Sequence, residues 1–304
     1  MAYGDNLVLD GIDLTIHRGE VAVLLGPNGA GKTTTVEILE GFRQRSAGHV
    51  SVLGVDPAHA TEAWRARVGI VLQSWRDHAS WKVRELIDYL GAYYAPYSTP
   101  TTARPWPTAS LLETVGLAGE AEKRVSQLSG GRRRRLDVAA GLVGRPELLF
   151  LDEPTAGFDP IARRDFHDLI LSLADLDTTI LMTTHDLDEA SKVADRILIL
   201  ADSRIVADGS PDELRRREFG AAEIRWSDGE ALHVHATEDP TTFLRGILAD
   251  PAARVEDLEV RRTSLEDVYI ALVNQAEGVS TTGQERLLKR LQDSMNTTTE
   301  EVPA

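Results

Sequence analysis

The sequence predicts an α/β fold built on a parallel β-sheet, and three observations carry that expectation. The apolar run at residues 20–25 leads straight into the glycine-rich segment Gly26-Pro27-Asn28-Gly29-Ala30-Gly31-Lys32-Thr33, after which a helical pattern starts at Thr34. A second apolar run, residues 148–151, ends in the paired carboxylates Asp152 and Glu153. Elsewhere short apolar runs alternate with stretches of helical spacing, and such alternation builds a parallel sheet covered by helices on both faces.

The elements follow in order. Residues 7–16 alternate in polarity and carry β-branched residues, which predicts an antiparallel strand pair ahead of the glycine loop. Residues 20–25 read as a buried strand and residues 34–39 as the helix leaving the loop. Residues 50–54 predict a short strand, and residues 68–73 a buried strand ending at Gln73. Over residues 82–94, Val83, Leu86, Ile87 and Leu90 fall on one helical face. Residues 96–107 form a proline-bearing connection, followed by helical spacing at 110–115 and again at 132–143 after a glycine pair. Residues 147–151 and 178–184 read as buried strands, with a helix between them at 160–173.

After about residue 217 the character changes. Residues 223–226 and 231–235 predict paired strands around the turn dipeptide Asp228-Gly229. A helix at 241–248, a strand at 255–260 and an amphipathic helix at 264–274 complete a small α+β appendage. The expected organisation is a nucleotide domain over residues 1–217, the appendage over 218–275, and a flexible tail over 276–304 with one helical stretch at 284–295. The tail is rich in Thr, Glu and Gln, which gives it little apolar surface to bury.

Composition narrows the possibilities. With no cysteine there is neither a disulfide nor a thiolate metal site. The longest apolar runs, such as residues 197–201, fall far short of the roughly 20 residues a membrane span needs. No basic-then-apolar leader opens the chain, so no secretory signal is expected. A formal net charge of −15 argues against a nucleic-acid partner. The one dense basic run, residues 132–135, is read as a solvated helix face.

The glycine-rich segment fits the pattern Gly-x4-Gly-Lys-[Ser/Thr], which cradles the phosphates of a nucleoside triphosphate. Its glycines let backbone N–H groups turn inward as an anion nest, and the helix start adds positive potential. Lys32 is placed to reach the β- and γ-phosphates, and the Thr33 hydroxyl to ligate Mg²⁺. Asp152 is expected to hold Mg²⁺, and Glu153, one residue on, to activate the attacking water.

Between these elements, Leu128-Ser129-Gly130-Gly131-Arg132 heads a helix, and Pro154-Thr155-Ala156-Gly157-Phe158-Asp159 follows the carboxylates. The set resembles an ABC-transporter ATP-binding subunit, from residue 3 to about 217. That resemblance implies a P-loop NTPase of ABC ATPase type, with a parallel core sheet, an antiparallel β subdomain and a helical signature subdomain. It implies ATP and Mg²⁺ as ligands. The nucleotide would be bound by residues 26–34 (Gly26, Pro27, Asn28, Gly29, Ala30, Gly31, Lys32, Thr33 and Thr34), with Tyr3 stacking on adenine. Gln73 matches the glutamine that senses Mg²⁺, and His185 the switch histidine that contacts the γ-phosphate and orients Glu153. Catalysis would rest on Glu153, His185 and Lys32. Two copies would pack head to tail, each ATP lying between one P-loop and Ser129, Gly130 and Gly131 of the other copy, with Asp159 crossing the interface.

Residues 261–272, residues 133–139 and the appendage resemble the ABC-2-type, daunorubicin-resistance-like exporter branch. This implies export of a drug-like or lipid-like molecule through a separate membrane permease, with the chain at the cytoplasmic membrane face. Two alternatives remain open at this level: a soluble ABC ATPase of translation or repair, and a regulatory subunit that binds ATP with little turnover. Three departures from the pattern stand out. Arg132 replaces a usual Gln, Phe158 replaces a usual Leu, and the strand that ordinarily precedes the tyrosine is missing, which points to a late start. The segment at residues 74–81, rich in aromatics and charge, is expected to face the permease.

Overall fold

The computed structural model describes residues 1–276 except 5, 72–77, 177, 220–221, 230, 238, 250–253 and 263. Gln73, residues 74–77 of the 74–81 segment and the expected tail helix at 284–295 therefore lie outside the described residues. Contacts divide the chain into two units, Met1–Glu218 and a second that begins at Phe219.

The first unit opens with two short antiparallel strands, β1 (Ala2–Tyr3) and β2 (Asn6–Leu7). Strand β3 (Val21–Leu25) is buried along its whole length and runs into the glycine loop, from which α1 (Lys32–Glu40) departs. A one-turn helix α2 (Glu62–Arg65) and strand β4 (Val68–Val71) follow. Three helices come next: α3 (Val83–Ala92), α4 (Thr108–Thr114) and α5 (Gly130–Leu142). Then come β5 (Leu148–Asp152), α6 (Pro160–Ala174), β6 (Thr179–Thr184), α7 (Leu187–Val193), β7 (Arg196–Ala201), β8 (Arg204–Gly209) and α8 (Pro211–Phe219).

The main sheet has six strands in the order β4-β5-β6-β3-β7-β8. All neighbours are parallel except β7 and β8, which pair antiparallel. The strands that meet at the centre, β3, β5 and β6, end at Leu25, Asp152 and Thr184, so the glycine loop, the carboxylate pair and His185 all leave the same sheet edge. This is the usual ligand position of an open parallel sheet, outside the carboxyl ends of its strands. Val36 and Ile38 of α1 pack on Ala22, Leu24, Phe150, Leu181 and Leu198, which fixes the helix under its loop.

The N-terminal segment departs from expectation. The antiparallel pair lies at residues 2–3 and 6–7 rather than within 7–16. Residues 11–17 join no ladder, yet their burial still alternates, and Ile12, Leu14 and Ile16 pack on the core. Sequence alternation records which side chains face inward, and says nothing about whether a neighbouring strand is present to pair with. Residues 50–54 likewise form a turn closed by a single Val52–Val55 bridge rather than a strand. Trp64 donates from its indole nitrogen to Val52 O at 2.7 Å and anchors that turn.

The second unit holds a three-stranded antiparallel sheet in the order β10-β9-β11, formed by β9 (Ala222–Ser227), β10 (Leu232–Thr237) and β11 (Glu256–Arg262). Helices α9 (Pro240–Ala249) and α10 (Leu265–Ala276) complete it. Ile224, Leu265, Val268 and Leu272 are its buried apolar residues, and Phe243 stacks on His235 with ring centroids 3.7 Å apart.

Candidate nucleotide site

The glycine loop owes its shape to two close approaches. Gly31 caps α1 at φ 105°, and a Cβ there would stand 2.6 Å from the Leu9 side chain. A Cβ on Gly26 would stand 2.4 Å from Leu200 O. No larger residue fits either position without moving neighbouring atoms. Asn28, Gly29 and Thr33 are exposed, so the concave side of the loop opens to solvent.

Lys32 is buried, at 7% exposure, and donates to Gly26 O at 2.8 Å and Pro27 O at 3.2 Å. Burial lowers its pKa, while Glu153 and Asp152 pull the other way. Its Nζ lies 3.8 Å from Glu153 Oε1, and His185 Nδ1 lies 3.3 Å from the same oxygen. Lysine, glutamate and histidine thus converge on one point. Glu153 has φ 42°, a left-handed backbone that a residue with a side chain rarely adopts. Thr183 holds it there: the Glu153 N–H donates to Thr183 Oγ1 at 3.0 Å and Thr183 O at 3.2 Å. The same threonine hydroxyl donates to Asp152 Oδ1, so one fully buried side chain holds both the Asp152 carboxylate and the Glu153 backbone.

The donor set suits Mg²⁺. Asp152 and Thr33 offer hard oxygen ligands, and Mg²⁺ is commonly held by one or two protein oxygens with phosphates and water completing the octahedron. The open, glycine-lined cradle above α1 fits a chain of phosphates. A Cβ built on Gly29 meets nothing within 4 Å. When bound, the cation would neutralise charge on the phosphate oxygens.

The other expected site residues lie elsewhere. Ser129 is the N-cap of α5, and its side chain makes no capping bond. Ser129, Gly131, Phe158 and Asp159 line one groove of about 470 Å³, and no residue of the glycine loop borders it. Asp159 caps α6, accepting from the Ile161 and Ala162 N–H groups at 2.9 Å each. Tyr3 is 42% exposed, with the Arg43 guanidinium 5.1 Å from its ring centre.

The reading of residues 132–135 as a solvated face needs correction. Only Arg132 is mostly exposed, and it pairs with Glu120 at 3.0 Å. Arg135 donates to Val115 O at 3.1 Å, and Arg133 pairs with Asp137 at 3.2 Å. Arg134 is 6% exposed and donates to Pro154 O at 2.9 Å and Asp152 O at 3.4 Å, gripping the chain on both sides of Glu153. Burial lowers its pKa, opposed by Asp137 and Asp152. The signal was available: Arg134 stands four and eight residues before the apolar Val138 and Leu142, on their face of the helix. Thr183 was missed as well, being one of three threonines in a strand read only as buried.

The sequence and the fold agree with known proteins. Residues 9–156 match the ABC transporter family model. The chain is 36% identical over 295 residues to the daunorubicin resistance ATP-binding protein DrrA3 of Streptomyces coeruleorubidus, covering 89% of this chain and 92% of that one. The chain belongs to the ABC transporter family. A second relative, the Nod factor export ATP-binding protein I of Neorhizobium galegae, is 42% identical over 291 residues, covering 90% of this chain and 83% of that protein. Among solved ABC structures, cbiO1 from Clostridium perfringens, part of the cbiONQ transporter complex, superposes with a TM-score of 0.61 at 28% identity. That match covers 72% of this chain and 88% of cbiO1. An ABC ATP-binding subunit with a TM-score of 0.59 and 24% identity shows the same fold. As an ABC ATPase, the chain binds and hydrolyses ATP. Glu153, at the end of β5, lies within reach of both Lys32 and His185.

Proposed function

We propose that this chain is the ATP-hydrolysing subunit of an exporter, and that it works as a head-to-tail pair on the cytoplasmic face of a membrane permease of ABC-2 type. The observation that carries the pairing is the separation of two half-sites. The groove lined by Ser129, Gly131 and Asp159 has no glycine-loop residue on its walls. The start of α5 nevertheless presents free backbone N–H groups and an uncommitted Ser129 side chain, which suits an anion brought by another copy. A second copy supplies that anion as the γ-phosphate held by its own Lys32.

In this reading residues 26–34 cradle the phosphates and Tyr3 packs on adenine. Thr33, Asp152 and Gln73 hold Mg²⁺. Glu153 takes the proton of the attacking water, while His185 steadies both Glu153 and the γ-phosphate. Gly130 and Gly131 let the partner's phosphate approach α5 closely, and Asp159 aligns the opposite site. Closure on ATP and reopening after hydrolysis shift the permease between two states. The names of the relatives, which concern drug resistance and Nod factor export, support export of a drug-like or lipid-like cargo over a role in translation or repair. Residues 218–275 are proposed as a separate appended domain and 276–304 as a flexible tail.

The test is Glu153→Gln with saturating Mg-ATP, followed by light scattering. The substitution keeps the side chain's shape and removes the base. A stable dimer that returns to monomer when ATP is washed out supports the pairing. A monomer at every ATP concentration would overturn it.

A further inference from the structure

Behind the site lies a buried polar cluster that none of the roles above use. Glu189, on α7, is 1% exposed. Its Oε1 accepts from Thr155 Oγ1 at 2.7 Å, and its Oε2 accepts from Thr184 Oγ1 at 2.5 Å. His167 Nε2, on α6, stands 3.5 Å from Oε1 and is itself only 6% exposed. Thr155 lies two residues after Glu153, in the loop that leads to Asp159. Thr184 immediately precedes His185. One carboxylate therefore ties together the backbone on either side of the reacting groups.

The cluster continues outward through Asp186. Its N–H donates to Thr184 Oγ1 at 3.0 Å, and its Oδ1 accepts from the Glu189 N–H at 3.0 Å, capping α7. Its Oδ2 pairs with Arg163 of α6 at 2.7 Å, one turn beyond Asp159. A carboxylate this deep is costly to hide unless its oxygens are used, and here both are. His185, by contrast, has a side chain 56% exposed, and Glu153 is its one hydrogen-bond partner among the described residues. Its position is set by the backbone that carries it, not by packing.

We propose that Glu189 is a positioning residue: it holds His185 against Glu153 and fixes the 154–159 loop to the same anchor, so that neither can move independently of the other. The catalytic half of this inference rests on the reading of Glu153 and His185 given above. The positional half rests on geometry alone.

The experiment uses the full chain with two readouts. The first is the imidazole NMR signal of His185, assigned by its disappearance in His185→Ala. The second is steady-state ATP hydrolysis. In Glu189→Ala the His185 signal shifts or broadens, and kcat falls about 10²-fold while KM for Mg-ATP stays within about twofold, as expected for misplacement of a reacting group. Glu189→Gln retains one acceptor and gains a donor that either threonine hydroxyl can accept, so it restores both readouts to near wild type. In a His185→Ala background Glu189→Ala lowers kcat no further, because the two act as a unit. If Glu189→Ala fails to fold, Thr184→Val and Thr155→Val each delete one hydroxyl at nearly constant shape and carry the same readouts.

An unmoved His185 signal in every variant overturns the proposal, as does a kcat loss that is additive with His185→Ala. A moved signal with kcat unchanged both there and in His185→Ala would sustain the positioning and would instead refute the role given to His185.

Discussion

Glu40 shows how strongly a single residue senses this site. It ends α1, is 7% exposed, and has its pKa raised to about 8 by burial first and by Asp152 and Glu37 next. Between the ordinary carboxylate value and about pH 8 the folded chain holds a proton there that the unfolded chain releases. Stability therefore falls as pH rises across that window. Glu40→Gln removes the titration. The nucleotide-free variant is expected to match the wild type near pH 4 and to become progressively more stable than it above that. The gap widens by about 1.4 kcal/mol per pH unit in mid-window. Urea melts at a series of pH values read this directly, and parallel pH curves for the two proteins would contradict it. The carboxylates to which the chemistry is assigned in the proposal differ in kind. Asp152 and Glu153 are only partly buried, with Thr183 bonded to the Asp152 carboxylate and the Glu153 backbone, so both carboxylates stay available to ligands.

At the scale of elements, α5 joins two regions that the sequence presents as separate motifs. Its first turn faces the groove with Asp159, and one turn further in Arg134 grips the carbonyls around Glu153. Arg134→Leu leaves those carbonyls without their guanidinium and Asp137 with Arg133 alone. It should cost roughly 2–4 kcal/mol, since breaking a buried charged contact exposes the partner's desolvation. An unchanged urea midpoint would show the contact to be dispensable. The elements themselves were largely legible. The strand before Gly26, the strand ending at Asp152 and the helices at 83–92 and 160–174 follow from apolar periodicity and from local turn chemistry. The antiparallel partner β8 and the unpaired segment at 11–17 did not, because pairing depends on chain neighbours that no local pattern records. The candidate site was legible from the glycine-loop pattern and the apolar run ending in two carboxylates: Asp152, Glu153 and His185 lie at or just beyond strand ends, and Lys32 opens α1 after the loop that leaves β3. Arg134, Thr183 and Glu189 were hidden because their value lies in tertiary contacts to backbone and hydroxyl groups.

At the scale of the whole molecule, the proposed pairing makes each nucleotide site a composite of two copies, and the chain divides into two units, Met1–Glu218 and one that begins at Phe219. Among the described residues no helix is long and apolar enough to cross a membrane, and the proposal gives the passage to a separate permease. The measurement that tests this most directly is affinity purification of the chain from detergent-solubilised membranes of its native cell, with partners identified by mass spectrometry. The account predicts a multi-helix permease recovered in an amount equal to this chain. Ribosomal or DNA-repair proteins recovered with no membrane protein would contradict it.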